Sequence, residues 1–133
     1  MRVAFADSAF YRAAANPRDE LHPAATTLAR GFRGRRVTTD FVLIELGNFL
    51  ARTDDRSLFL NLLDTLRASR HTEIVPASRA LMDAGLALYR RRLDKDWSLT
   101  DCISSVVMGE RGIREALTAD HHFEQAGFVA LLK

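Results

Sequence analysis

Five short apolar runs recur along the chain, at 3–6, 37–39, 73–75, 116–118 and 128–130, and each is separated from the next by stretches with helical periodicity. That alternation constrains the fold more than any other feature. Runs of three or four residues suit strands buried on both sides. Helices are expected at 22–33, 41–52, 58–66 and 78–92, the last capped by Ser78. A further helix is expected from 99 to about 109–112, with its buried stripe at Leu99, Cys102, Ile103, Val106 and Val107. Strands alternating with helices predict an α/β domain with a mostly parallel sheet of four to five strands and helices on both faces.

At 133 residues and 47% hydrophobic, the chain suits one domain over 1–133, with no repeat or linker. It contains no run of about 18 apolar residues for a membrane span. Asp7 comes too early for the apolar region of a signal peptide, so the expected location is cytoplasmic. The single cysteine, Cys102, falls on the buried stripe, which excludes a disulfide framework and a cysteine zinc site.

Acids stand where such a fold gathers ligands. Asp7 follows the run 3–6 and Asp120 follows 116–118, so both lie just past a strand's carboxyl end, where open α/β sheets bind ligands. They face one crevice if the two strands are neighbours where strand order reverses. Asp7 would equally serve as N-cap of a helix beginning at Ser8. Asp40 is expected to cap the helix over 41–52, in which the i±3 and i±4 neighbours of Glu45 are Phe41, Val42, Asn48 and Phe49. An unpaired carboxylate in that mainly apolar stripe is costly and usually has a partner or a task, unless it sits at the edge and reaches water. Ser98 is the expected N-cap of the helix from 99, with Asp101 at N3, where an acid also satisfies first-turn N–H groups and complements the helix dipole. Glu45 and Asp101 thus occupy early turns of helices that begin on the same side of the sheet. His22 is expected at the surface, and His121 and His122 in surface or helix-start roles, because adjacent side chains point to different faces.

Four converging carboxylates repel one another or hold protons unless a hard cation neutralises them, and Mg²⁺ and Mn²⁺ prefer oxygen ligands. The scarcity of nitrogen and sulfur ligands disfavours zinc. The chain has no P-loop, dinucleotide fingerprint or nucleophile elbow. A phosphatase of the haloacid dehalogenase type expects an acid where Ala9 stands. The remaining chemistry is metal-assisted attack of water on phosphorus. The net charge of +2 and the pI near 9.1 are only mildly basic, but arginines cluster at Arg30, Arg33, Arg35 and Arg36 and at Arg90, Arg91 and Arg92. Positive charge at a helix C-terminus is favourable in itself. If metal takes four of the 17 acids, the other 13 face 19 basic groups, a balance that suits a polyanionic partner.

Four stretches together resemble the motifs of PIN-domain ribonucleases, above all VapC-type toxins and their stand-alone relatives. They are Phe5-Ala6-Asp7-Ser8-Ala9-Phe10, Thr38-Thr39-Asp40-Phe41-Val42-Leu43-Ile44-Glu45-Leu46-Gly47-Asn48, Asp96-Trp97-Ser98-Leu99-Thr100-Asp101-Cys102 and Leu117-Thr118-Ala119-Asp120-His121-His122-Phe123. The resemblance covers essentially the whole chain, and the order and spacing carry it. It implies a three-layer α/β/α sandwich and endonucleolytic cutting of single-stranded or looped RNA, dependent on one or two Mg²⁺ or Mn²⁺ ions. It also implies an acidic quartet of Asp7, Glu45, Asp101 and Asp120 as catalytic residues and metal ligands, with Asp96 as a further acid and Ser8 and Asn48 as polar groups flanking the site. The implied partners are RNA, a second copy of the chain and a small antitoxin. A non-catalytic RNA-binding module and a structure-selective DNA nuclease are the alternatives, although the chain is short for DNA-gripping additions.

Overall fold

The run at 3–6 becomes the central strand, and its composition explains why. In β1 (Val3–Ala6), Ala4, Phe5 and Ala6 are fully buried, leaving no side for water. The computed structural model describes residues 2–132. From β1 the chain passes through α1 (Ser8–Ala15) and α2 (His22–Gly31) to β2 (Arg35–Thr39), then through α3 (Asp40–Phe49) and α4 (Arg56–Ala68) to β3 (Thr72–Val75). Two more helices, α5 (Arg79–Arg91) and α6 (Leu99–Arg111), lead to β4 (Glu115–Leu117), and α7 (His121–Gln125) leads to β5 (Val129–Ala130).

Every strand pair is parallel, in the order β3-β2-β1-β4-β5. The chain moves outward from β1 to β3 and then restarts on the other side of β1. Right-handed crossovers put α1 to α4 on one face and α5 to α7 on the other, giving the three-layer α/β/α sandwich. Buried Phe10, Val42 and Leu46 belong to the first helical layer, and Ile103, Met108 and Phe123 to the second. The ring of Phe123 lies 6.4 Å from that of Phe5 across the sheet face.

Several boundaries differ from expectation for local reasons. The N-cap of α3 is Thr39, whose hydroxyl accepts from Val42 N at 3.1 Å. Asp40 lies one residue inside the helix and accepts from Ala77 N at 2.9 Å, tying the start of α3 to the turn after β3. The second helix ends at Gly31 rather than 33, and α3 ends at Phe49 rather than 52. His22 is half-buried, and its Nδ1 lies 2.7 Å from the Ala13 carbonyl, joining α2 to α1. The capping box of α6 is present as expected: Ser98 Oγ accepts from Asp101 N, and Asp101 Oδ2 accepts from Ser98 N.

Close packing of α5 on α6 depends on Gly85, where an added methyl would fall on Cγ1 of Ile103, itself buried. Gly109 lies in α6 with open space around it. Gly85→Ala is therefore expected to destabilise the protein by about 1–3 kcal/mol through overpacking. Gly109→Ala should stabilise it by roughly 0.5–1 kcal/mol through helix propensity. Denaturant unfolding of the two variants checks both signs, and a shift in the same direction for both would refute the packing account.

Candidate active site

Strands β1 and β4 are neighbours, and the strand order reverses between them. Their register pairs Ala6 with Leu117, so Asp7 and the segment after β4 leave the sheet side by side. One hydroxyl links the acids that follow them. Thr118 Oγ1 donates to Asp7 Oδ2 at 2.9 Å and accepts from Asp120 N at 3.0 Å. The other two acids come from helices. Ser8, opening α1, donates to Glu45 Oε1 of α3 at 2.5 Å, the short length typical of a hydroxyl bound to a carboxylate. Asp101 is fixed by its capping box, and its Oδ2 also lies 3.2 Å from His122 Nδ1.

Asp7, Glu45, Asp101 and Asp120 line one cleft of about 260 Å³. Ser8 and Asp96 line it too, Asp96 on the exposed side. Asn48 does not. It is exposed on α3, three residues beyond Glu45, whereas Phe49, four residues beyond, shares the cleft face. Two further residues line the cleft, Arg12, which no sequence motif singles out, and His122, expected only at the surface or a helix start. Arg12 stands one helical turn after Ser8, with its guanidinium 4.5 Å above the half-exposed Phe49 ring. The i, i+4 spacing from Ser8 is what could have found it. His122 opens α7 as a helix-start residue, yet it is not a plain surface group. Its Nδ1 lies 3.2 Å from Asp101 and 3.3 Å from Asp120, bridging two acids. Among the described residues, Asp120, His121 and His122 bring candidate ligand atoms within 4.8 Å of one another, whereas no three of the four acids lie that close together.

Burial dominates the electrostatics. It pushes the Asp7 carboxyl up to about 7, the charges of Asp101 and Glu45 add to the rise, and the hydrogen bonds from Thr118 and Ser8 oppose it. Asp101 is likewise raised, first by burial and then by the charge of Asp120, against the Ser98 N–H and His122. Such a donor set suits a hard divalent ion: four carboxylates line one cleft, and one of them is too desolvated to ionise easily unless positive charge arrives.

The sign of the pH dependence follows. Folded Asp7 keeps its proton up to about pH 7, and an ordinary carboxyl releases it near 3.8, so the native state binds more protons between those values. Stability without divalent ions therefore falls as pH rises through that window. Asp7→Asn removes this penalty. In chelator at pH 8 the variant should melt roughly 3–8 °C above the wild type, with the gap closing by pH 4, as about 1–2 kcal/mol gives in a chain of this size. Parallel pH profiles for the two proteins would show that Asp7 is not the strained group.

The PIN domain family matches residues 6–129. The structure is similar to that of Mycobacterium tuberculosis VapC20, a sarcin-ricin loop cleaving toxin, with 25% identity, a TM-score of 0.88 and coverage of 97% of this chain and 98% of that one. VapBC2 from Rickettsia felis, solved bound to a DNA fragment from their promoter, shares the fold at 13% identity and a TM-score of 0.66, with 96% of each chain covered. FitAcB from Neisseria gonorrhoeae does so at 13% identity and 0.65, covering 96% of this chain and 94% of that one. No match was found among curated proteins. With a family match over nearly its whole length and acids gathered at the reversal point of its sheet, the chain belongs to the PIN domain family.

Proposed function

We propose that the protein is a divalent-metal-dependent endoribonuclease that hydrolyses phosphodiester bonds in single-stranded or looped RNA. It acts as the toxin of a type II toxin–antitoxin pair and comprises one PIN domain over 1–133. The observation that carries this is the cleft in which Asp7, Glu45, Asp101 and Asp120 converge. The likeness to a toxin that cleaves the sarcin-ricin loop supports RNA as the substrate class.

Asp7, Glu45, Asp101 and Asp120 would hold one or two Mg²⁺ or Mn²⁺ ions, with Asp96 a further acid at the exposed rim. Bound there, such ions supply Lewis acidity towards the phosphate and lower the pKa of attacking water. The chain's own groups do the rest. Thr118 and Ser8 fix the Asp7 and Glu45 carboxylates, so their orientation does not depend on the substrate. His122 Nδ1 lies within reach of both Asp101 and Asp120, and because ionised carboxylates only accept, the ring holds them by donating its N–H. Arg12 offers a guanidinium to the RNA phosphate inside an otherwise acidic cleft, and the Phe49 ring beneath it offers a stacking face for an unpaired base. Asn48 lies outside the cleft and has no part in this scheme.

A toxin of this kind needs a small antitoxin partner, works as a homodimer and meets its RNA in the cytoplasm. No helix among the described residues is long and apolar enough to cross a membrane.

The test is cleavage of a structured RNA pool that includes a sarcin-ricin stem-loop, by wild type and Asp101→Asn, with Mg²⁺, with Mn²⁺ and with chelator. Asn can still accept the N-cap hydrogen bond, so the fold is retained. Cutting should require the metal and fall at least about a hundredfold in the variant. RNA binding without cutting by the folded, antitoxin-free protein would replace the nuclease with a binding module.

A further inference from the structure

The arginines at 30–36 are not beside the acidic cleft. That cleft lies at the carboxyl ends of the strands, whereas Arg35 begins β2 and Arg33 precedes it, at the amino end. A strand of five residues separates the two edges by roughly 15 Å. At the amino edge Arg30, Arg33 and Arg36 line a second cleft of about 390 Å³ with Ser69 and His71, and no carboxylate lines it.

The groups in this cleft divide into two kinds. Arg36 is built into the fold: half-buried, it donates to the Ala29 carbonyl at 2.7 Å and lies 6.0 Å from both the Phe10 and Phe32 rings. Arg30 and Arg33 are exposed and have no hydrogen bond or ion pair among the described residues. Arg30 gains something from the C-terminal dipole of α2, but Arg33 lies beyond the helix.

The same edge is basic past this cleft. Arg2 precedes β1, Arg70 and His71 precede β3, and Arg114 precedes β4. Of the acids at this edge, Glu115 and Glu73 are already taken, and Glu110 is exposed in the last turn of α6. Arg2 holds Glu115 at 2.8 Å and 3.0 Å, and Arg111 and Arg35 flank Glu73 at 2.8 Å and 3.9 Å. Arg70 and Arg114 are exposed and unpaired among the described residues. Four neighbouring strands about 4.8 Å apart thus present a basic row of roughly 14 Å.

We propose that this amino edge, centred on the Arg30–Arg33–His71 cleft, is a second RNA-binding site that grips phosphates of the substrate away from the scissile bond. RNA is favoured over an acidic protein segment because the positive groups form a row spread over several strands rather than one compact pocket. A row suits the repeating charge of a nucleic-acid backbone. The choice of RNA rests on the ribonuclease function proposed above, but the site's existence does not.

The test uses the full chain in chelator, so that binding is read without cutting. The probe is a blunt RNA duplex of about 16 base pairs, the length over which double-stranded RNA is commonly read by shape. Arg30→Ser/Arg33→Ser should weaken binding about tenfold and reduce the slope of log K against log salt by about two. With metal, the same variant should cut a short unpaired oligonucleotide at the wild-type rate. An unchanged salt slope and affinity would overturn the site, whether or not the protein proves to be a nuclease. If polyglutamate binds as tightly as the duplex with the same arginine dependence, the cleft belongs to an acidic protein segment and the RNA assignment fails. A protein that cuts no RNA but shows the arginine-dependent slope would retain this site and lose the nuclease.

Discussion

The parallel pairing of β1 with β4 is the contact on which the rest of the molecule depends. It joins the first strand to one that begins more than a hundred residues later, at Glu115, so the pairing closes a loop that contains most of the chain. Asp7 N bonds to the Leu117 carbonyl at 3.3 Å, extending the ladder by one step past the end of β1, and Thr118 continues the link through its side chain to the Asp7 carboxylate. The sheet therefore ends by converting a backbone ladder into a side-chain hydrogen bond. This is how a site far apart in sequence gains the rigidity of a strand.

The same closure creates an electrostatic conflict. Asp7 is 3% exposed and Asp101 largely buried, and each feels the charge of at least one neighbouring acid. Thr118, Ser8, the Ser98 N–H and His122 supply hydrogen bonds that hold the carboxylates in place without neutralising the group as a whole. A fold selected only for stability would put apolar residues here, as it does at Ala6 and Leu117 immediately upstream. Retaining the acids on so well-fixed a frame fits a site organised to receive positive charge.

How much of this could be read from the sequence depended on the range of the interaction. The alternation of short apolar runs with helical stripes is local, and it yielded the strand sequence, the parallel sheet and the capping box of Ser98 and Asp101. The convergence of Asp7 and Asp120 was conditional on β1 and β4 being neighbours, and strand order is a property of the whole sheet. Thr39 and Asp40 both make good N-caps, so only the backbone position decided between them. Asn48 and Phe49 differ by 100° around α3, enough to exchange their places relative to the cleft, and a periodic pattern does not resolve that near the end of a helix. His122 was hidden because its role comes from Asp101, 21 residues earlier, meeting Asp120 across α6 and α7.

The parallel sheet also explains why the charges separate. When every strand runs one way, a helix that directly follows a strand, such as α1 or α3, starts at the carboxyl edge, and one that leads into a strand, such as α2 or α6, ends at the amino edge. Their dipoles favour cations, and arginines, at the amino edge. Arg30 and Arg111 in last turns fit that background, as does Asp101 in a first turn. The background does not account for Asp7, buried past a strand, or for Arg33, Arg70 and Arg114, which lie in loops beyond the helix ends. At both edges the fold supplies a weak bias of one sign and the sequence exceeds it. The residues in excess are the ones for which folding alone gives no reason.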